Sequence, residues 1–314
     1  MFTGRRARSL LVIGALGAVS LSGCGAGGAP HAGPGQASPP SPAVTATTPA
    51  PVAGAVVTAQ PGAPSDSATF SRPADVSNRM FPLVPGTQFV YRGKVIEEGA
   101  SKPHSVVFTV TDLVKVVDGV TTVVAWDQDF LDARLQEQEL AFFAQDDSGN
   151  VWNFGEYPEE YENGKFAGAP STWIKGARGT YGGIHMLARP RAGARYSEGL
   201  VPAIDFDDVS RVARTGQRTC ARSRCFGHVL VIDETSPNDP ASGHQIKYYA
   251  PATGLIRVGA QGGDSQEFLG LAAVRHLGRA AMAGVRESVL SMDRRAYRVS
   301  KVYRVTRPAI RRGG

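Results

Sequence analysis

The sequence predicts a mainly β protein: a single antiparallel meander, curved into a sandwich or a partly open barrel, followed by a C-terminal amphipathic helix. Three observations lead there. Runs rich in β-branched and aromatic residues recur at short intervals between residues 79 and 270, which is the pattern of all-β folds. Turn pairs such as Asp118-Gly119 and Asn163-Gly164 fall between those runs, and such pairs favour tight hairpins. From Leu271 onward apolar residues recur every three or four positions, the spacing of a helix face.

Order is expected to begin near Phe81-Pro82-Leu83-Val84-Pro85-Gly86. Val106 to Thr111 and Val120 to Trp126 read as strands of one hairpin turning at Asp118-Gly119. Leu140–Ala144 and Val151–Phe154 form the next pair, joined by Asp146-Asp147-Ser148-Gly149-Asn150. That junction shares features with a calcium loop and with an Asp-box, but lacks the closing Glu of the first and the preceding Ser of the second, so a plain hairpin turn is expected. Later strands are predicted at 209–215, 226–233, 245–249, 255–259 and 267–271. Val274, Leu277, Ala281, Val285, Val289, Met292 and Ala296 then form the apolar stripe of a helix that begins near Leu269. No period of 20–50 residues recurs, which argues against a propeller or solenoid.

Ahead of this body lie two segments of different composition. Arg5, Arg6 and Arg8 precede an apolar run from Leu10 to Leu21, shorter than the ~20 residues a membrane-spanning helix needs, so residues 1–23 read as a secretory signal. Leu21-Ser22-Gly23-Cys24 resembles the lipobox of bacterial lipoproteins. The resemblance implies cleavage before Cys24, a diacylglycerol on Cys24, and an extracytoplasmic protein anchored to the cell membrane. Two acyl chains suffice for stable anchoring. Residues 24–78 are dominated by Pro, Ala, Gly, Ser and Thr and read as an extended, disordered tether.

Within the body, Phe81-Pro82-Leu83-Val84-Pro85-Gly86-Thr87-Gln88-Phe89-Val90-Tyr91, Asp147 to Glu156 and Lys247 to Ile256 resemble segments of an uncharacterised group of actinobacterial lipoproteins. The resemblance spans about residues 81–271. It implies a β-rich extracytoplasmic domain and no particular activity.

Cys220 and Cys225 flank Ala221-Arg222-Ser223-Arg224, a hairpin tip that brings them within disulfide reach in an oxidising compartment. The histidines His31, His104, His185, His228, His244 and His276 show no metal-ligand spacing. There is no nucleophile elbow, Walker motif or dinucleotide fingerprint. No cofactor, metal or catalytic residue is therefore expected. Glu156, Glu159, Glu160 and Glu162 read as a solvated acidic face. Trp126, Trp152, Trp173 and Tyr248 are the candidate ligand-binding residues, if aromatics line a concave sheet; otherwise they fill the core.

Charge is uneven. The last forty residues hold eleven basic and two acidic side chains, and Arg5, Arg6 and Arg8 add three more positive charges, so a formal net charge of +6 leaves the stretch between them near −6. Outside the cell this argues against nucleic acid. The basic segment, residues 271–314, is expected to form the helix and a less ordered tail facing anionic envelope surfaces. Two function classes fit: a lipid-anchored, non-catalytic binding or scaffold module for an apolar or glycan ligand, and an envelope hydrolase whose site is assembled from separate strands. The binding or scaffold module could equally contact another envelope protein, which the sequence leaves unidentified.

Overall fold

The computed structural model describes residues 68–313; the signal segment, Cys24 and the tether up to residue 67 lie outside the described residues. The meander opens with five long strands: β1 (Thr87–Glu97), β2 (Ala100–Val117), β3 (Val120–Leu131), β4 (Arg134–Gln145) and β5 (Val151–Glu162). Short strands follow: β6 (Lys165–Gly168), β7 (Trp173–Ile174), β8 (Tyr181–Met186), β9 (Arg195–Ser197) and β10 (Gly199–Leu200). A second long set returns: β11 (Val209–Ala221), β12 (Arg224–Thr235), β13 (His244–Ala250), β14 (Gly254–Gln261) and β15 (Ser265–His276). Helix α1 (Arg279–Val299) and β16 (Ile310–Arg311) complete the chain. The Asp118-Gly119 and Asn163-Gly164 turns join β2 to β3 and β5 to β6, as their sequences require.

All strands belong to one antiparallel sheet, ordered β10-β8-β5-β4-β3-β2-β1-β15-β14-β13-β12-β11-β9, with β6 and β7 added on β5 and β16 on β2. β9 and β10 lie at opposite ends of that order, yet only Glu198 separates them in sequence. Ser197 pairs with Val209 of β11, and Gly199 pairs with Gly182 of β8. The two edges therefore meet at one residue and the sheet is nearly closed into a barrel. Gly183 permits the approach: a Cβ there would sit 2.3 Å from the Ser197 carbonyl oxygen.

Period-two alternation divides the side chains between two cores. The inner one holds Tyr91, Val106, Phe108, Val123, Phe143, Ile232, Tyr249 and Leu269. The outer one lies between β2–β5 and α1, where Leu113, Phe142, Phe154 and Tyr157 pack on Val285, Val289, Met292 and Ala296. Charges are buried in this outer seam as well. Lys115 Nζ donates to Asp293 Oδ1 at 2.7 Å, to the Tyr297 hydroxyl at 2.9 Å and to the Arg307 carbonyl at 2.7 Å. Arg295 forks onto both oxygens of Glu159 at 2.6 and 2.7 Å.

Several boundaries differ from the sequence reading. Order starts earlier than residue 79: Phe70 packs edge-on against Phe154 at 5.5 Å, and Val76 is buried. The helix starts later. Residues 269–276 continue β15, because Thr87 to Glu97 of β1 offers pairing partners as far as His276. Val274 and Ala281 are consequently exposed, and the buried stripe is Met282, Val285, Val289, Met292 and Ala296. The segment after Ala296 is not a loose tail. Tyr303 is fully buried, its hydroxyl donates to Asp293 at 2.7 Å, and Ile310 pairs with Val114.

Candidate functional site

The inner face changes character along its length. Toward one end β3 carries Val123 and Ala125 inward; toward the other, the same parity carries Asp127 and Asp129. β4 runs the opposite way with Phe143, Ala141, Glu139 and Glu137. Antiparallel register sets Asp127 opposite Glu139 and Asp129 opposite Glu137, a block of four carboxylates on one face, where directly opposed like charges repel. Glu156 joins them because a bulge at Gly155 breaks the β4–β5 register and keeps both Asn153 and Glu156 inward. Glu267 enters from β15. Around the seam stand Glu198, Asp208 and Glu234. These nine carboxylates are all buried, whereas the buried cationic side chains among them are Lys247 and His104.

Burial dominates their ionisation. It raises Asp127, Glu137 and Glu139 well above the usual carboxylate range, with neighbouring carboxylates adding to the rise. Burial lifts Glu156 to about 8, against the pull of the Trp173 and Asn153 donors. Glu234 also reaches about 8 through burial and the nearby Glu198, with Lys247 opposing at 2.6 Å. His185, enclosed among Phe81, Phe143 and Tyr249, is driven down to about 3 by burial and stays neutral, 3.2 Å from Glu198. His104 goes the other way. Burial alone would lower it, but Asp129 and Glu267 outweigh burial and lift it to about 10.

Several inward-facing polar atoms make no hydrogen bond within the protein: Asp127 Oδ1, Glu137 Oε1, both carboxylate oxygens of Glu139, His185 Nε2, His104 Nδ1 and Glu267 Oε1. The donor atoms of His104, Asp129 and Glu267 lie within 4.8 Å of one another. Asp127 also forms part of a cavity of about 30 Å³, whose walls include Phe81, Leu83, Phe108, Tyr249, His185 and Lys247. That volume accommodates one or two waters. The segment Phe81–Leu83 covers it, held by Leu83 N donating to the Val76 carbonyl at 3.0 Å and Ala252 N donating to the Arg79 carbonyl at 2.8 Å.

The sequence-predicted residues fall elsewhere. Trp126 and Trp152 face the outer core, where Trp152 Nε1 donates to Asp146 at 2.7 Å. This bond steadies the β4–β5 turn, with Asn150 N also donating to Asp146 at 2.8 Å. Tyr248 is half-buried beneath the Arg257 guanidinium, of opposite parity to Lys247 and Tyr249. Trp173 alone reaches the acidic interior, donating to Glu156 at 2.9 Å while stacked on Phe206. None of the four lines the cavity. Trp126 and Trp152 lie on the face that packs against the helix-side core. Glu156 and Glu159 are buried and not solvated. Cys220 and Cys225 are disulfide-bonded across β11–β12, with Cα atoms 3.9 Å apart.

No family model matches the chain, and no curated protein matches it. Among solved structures, it is similar to a protein from Bacteroides fragilis, described as a candidate exported protein with a YmcC-like fold, at 14% identity and a TM-score of 0.36. That match covers 63% of this chain and 99% of the other.

Proposed function

We propose that the chain is a lipid-anchored, extracytoplasmic binding module whose barrel interior takes a small cationic ligand. The observation that carries this reading is the interior imbalance: nine buried carboxylates against Lys247 and His104. Buried carboxylates usually occur with compensating partners; here several oxygens aim inward without one. The space beside Asp127, about 30 Å³, suits a bare or partly hydrated cation better than a glycan or a large apolar ligand, the classes that aromatic content first suggested.

The lipobox-like Leu21-Ser22-Gly23-Cys24 and the Pro-rich stretch behind it support membrane anchoring with reach, and the disulfide supports an oxidising compartment. Arg294, Arg298, Arg304 and Arg307 remain exposed and would face anionic envelope surfaces. On the hydrolase alternative, Glu156 has the raised pKa of a general acid, but its carboxylate already accepts from Trp173 and Asn153.

Thermal unfolding of the purified chain against a panel of calcium, zinc, manganese, sodium and ammonium chlorides tests the binding reading. At least one cation should raise the Tm beyond an ionic-strength control; a flat response to all of them overturns it. Anchoring has its own test. Cys24→Ala should abolish palmitate labelling and release the protein from membranes, and labelling that persists would refute it.

A further inference from the structure

We infer that the C-terminal segment docks the body directly on an anionic phospholipid bilayer, with Val299, Val302, Val305 and Ile310 entering the headgroup layer between basic side chains. This deepens the anchoring half of the reading above and is independent of the cation ligand. From Arg298 the sequence runs in threes: Arg298-Val299-Ser300, Lys301-Val302-Tyr303, Arg304-Val305-Thr306, Arg307-Pro308-Ala309. In each triplet the first residue is basic, the second apolar, and both are exposed, while the third is buried. The 3₁₀ turn at Val302–Val305 brings residues three apart into line. Its buried row is fixed to the body: the Tyr303 hydroxyl donates to Asp293 Oδ1 at 2.7 Å, and Ala309 N donates to Asp293 Oδ2 at 3.2 Å. The basic and apolar rows are thereby held outward.

Both rows point to a bilayer. Of the nine large hydrophobic side chains exposed among the described residues, four fall between residues 299 and 310, and Val305 and Ile310 are 63% and 56% exposed. Single exposed apolar residues are ordinary, whereas a cluster marks a contact surface. Residues 294–312 hold eight basic side chains and no acidic one. Arg295, Arg311 and Arg312 pair with Glu159, Asp112 and Asp75. The other five are exposed and make no ion pair among the described residues. Basic side chains interleaved with apolar ones suit the boundary between lipid headgroups and acyl chains. A soluble polyanion would engage the basic row alone.

The point where the chain enters the body agrees. Ala68 and Phe70 pack on the helix-side core that includes Tyr303 and Ala309, and Asp75 pairs with Arg312. The segment that carries Cys24 therefore joins the body beside the basic and apolar rows. A lipid on Cys24 would raise the effective concentration of this face at the bilayer, so individually weak contacts suffice.

The test uses the chain from residue 24 onward, carrying Cys24→Ala so that no lipid contributes, sedimented with phosphatidylglycerol or phosphatidylcholine vesicles. Binding should favour phosphatidylglycerol by about tenfold or more and weaken as salt rises. Lys301→Gln with Arg307→Gln should weaken it about fivefold per charge. Val305→Ser with Ile310→Ser should weaken it by roughly fivefold. An environment-sensitive dye on Val305→Cys should shift to the blue on vesicles; the same dye on Asp132→Cys should not, because Ile310 pairs with β2 near the start of β3 and Asp132 follows its end. Thermal unfolding that matches the parent separates lost docking from lost folding. Binding that needs the basic residues but is unchanged by the Val305 and Ile310 substitutions would assign the segment to soluble polyanions and overturn the proposal. Absence of vesicle binding would also overturn it. Neither outcome bears on palmitate labelling of Cys24, so lipid anchoring stands or falls separately.

Discussion

The protein buries charge in two places and treats it in opposite ways. In the outer seam every buried charge has its partner: Lys115 with Asp293, and Arg295 with both oxygens of Glu159. Tyr297, Tyr303 and the Arg307 carbonyl complete the Lys115–Asp293 site. Inside the barrel, carboxylates outnumber cations and several oxygens make no bond within the protein. A completed network fixes structure, here the docking of the helix and the C-terminal segment onto β2–β5. An incomplete one costs stability unless something else completes it. The contrast teaches that burial of charge alone does not mark a site; the partner count does.

The largest effect should come from the paired region. Lys115→Ala or Asp293→Ala strands a buried charge and should cost about 3–5 kcal/mol, read by urea unfolding. In the lumen, Glu139→Gln should stay within about 1 kcal/mol of the parent, because burial and the neighbouring carboxylates push Glu139 toward the neutral form that Gln resembles. Equal losses at the two places would break the comparison. The same seam dictates that removing Tyr297–Gly314 destabilises the body, since Lys115 would lose two of its three acceptors, the Tyr297 hydroxyl and the Arg307 carbonyl.

pH sharpens the contrast further. Glu156 and Glu234 have folded pKa values raised from 4.5 to about 8. Between those values the native state holds more protons than the unfolded chain, so stability is fullest below about 4.5 and falls as pH rises through 8. Thermal unfolding from pH 5 to pH 9 should show a loss of a few kcal/mol, reduced in Glu156→Gln. Stability that rises over this interval would mean the interior carboxylates are compensated after all.

Smaller effects lie outside both regions. Cys220→Ser with Cys225→Ser should cost about 2 kcal/mol, as expected of a very short closed loop, and should leave cation binding unchanged. Arg298→Gln with Arg304→Gln should barely move stability, but should weaken adhesion of unlipidated protein to anionic vesicles by roughly 1 kcal/mol per charge at low salt. Unchanged adhesion would make that face merely solvated.

Much of the scaffold was legible because its signals are local. Asp118-Gly119 forces a hairpin wherever it falls between β-branched runs, and β2 and β3 end within a residue of it. The helix start was harder: Leu271, Val274 and Leu277 suit a helical period, but β1 offers backbone partners up to His276 and the strand wins. The acidic interior left a faint trace in Asp127-x-Asp129 and Glu137-x-Glu139. Their parity matches Ala125 and Ala141, so each strand turns from apolar to acidic along one face. A strand whose polarity changes along its length reads as leaving the core for solvent. Only sheet closure at Glu198, a contact between the two ends of the strand order, brings those acids inside, and no local pattern encodes it.

The most direct test of the central claim is metal analysis of the chain isolated from its native membranes without chelators. The account predicts a small cation that is retained with the chain through gel filtration. A metal-free protein whose Tm is also indifferent to every added cation would contradict it, and the buried carboxylates would then be protonated structural groups and not a binding site.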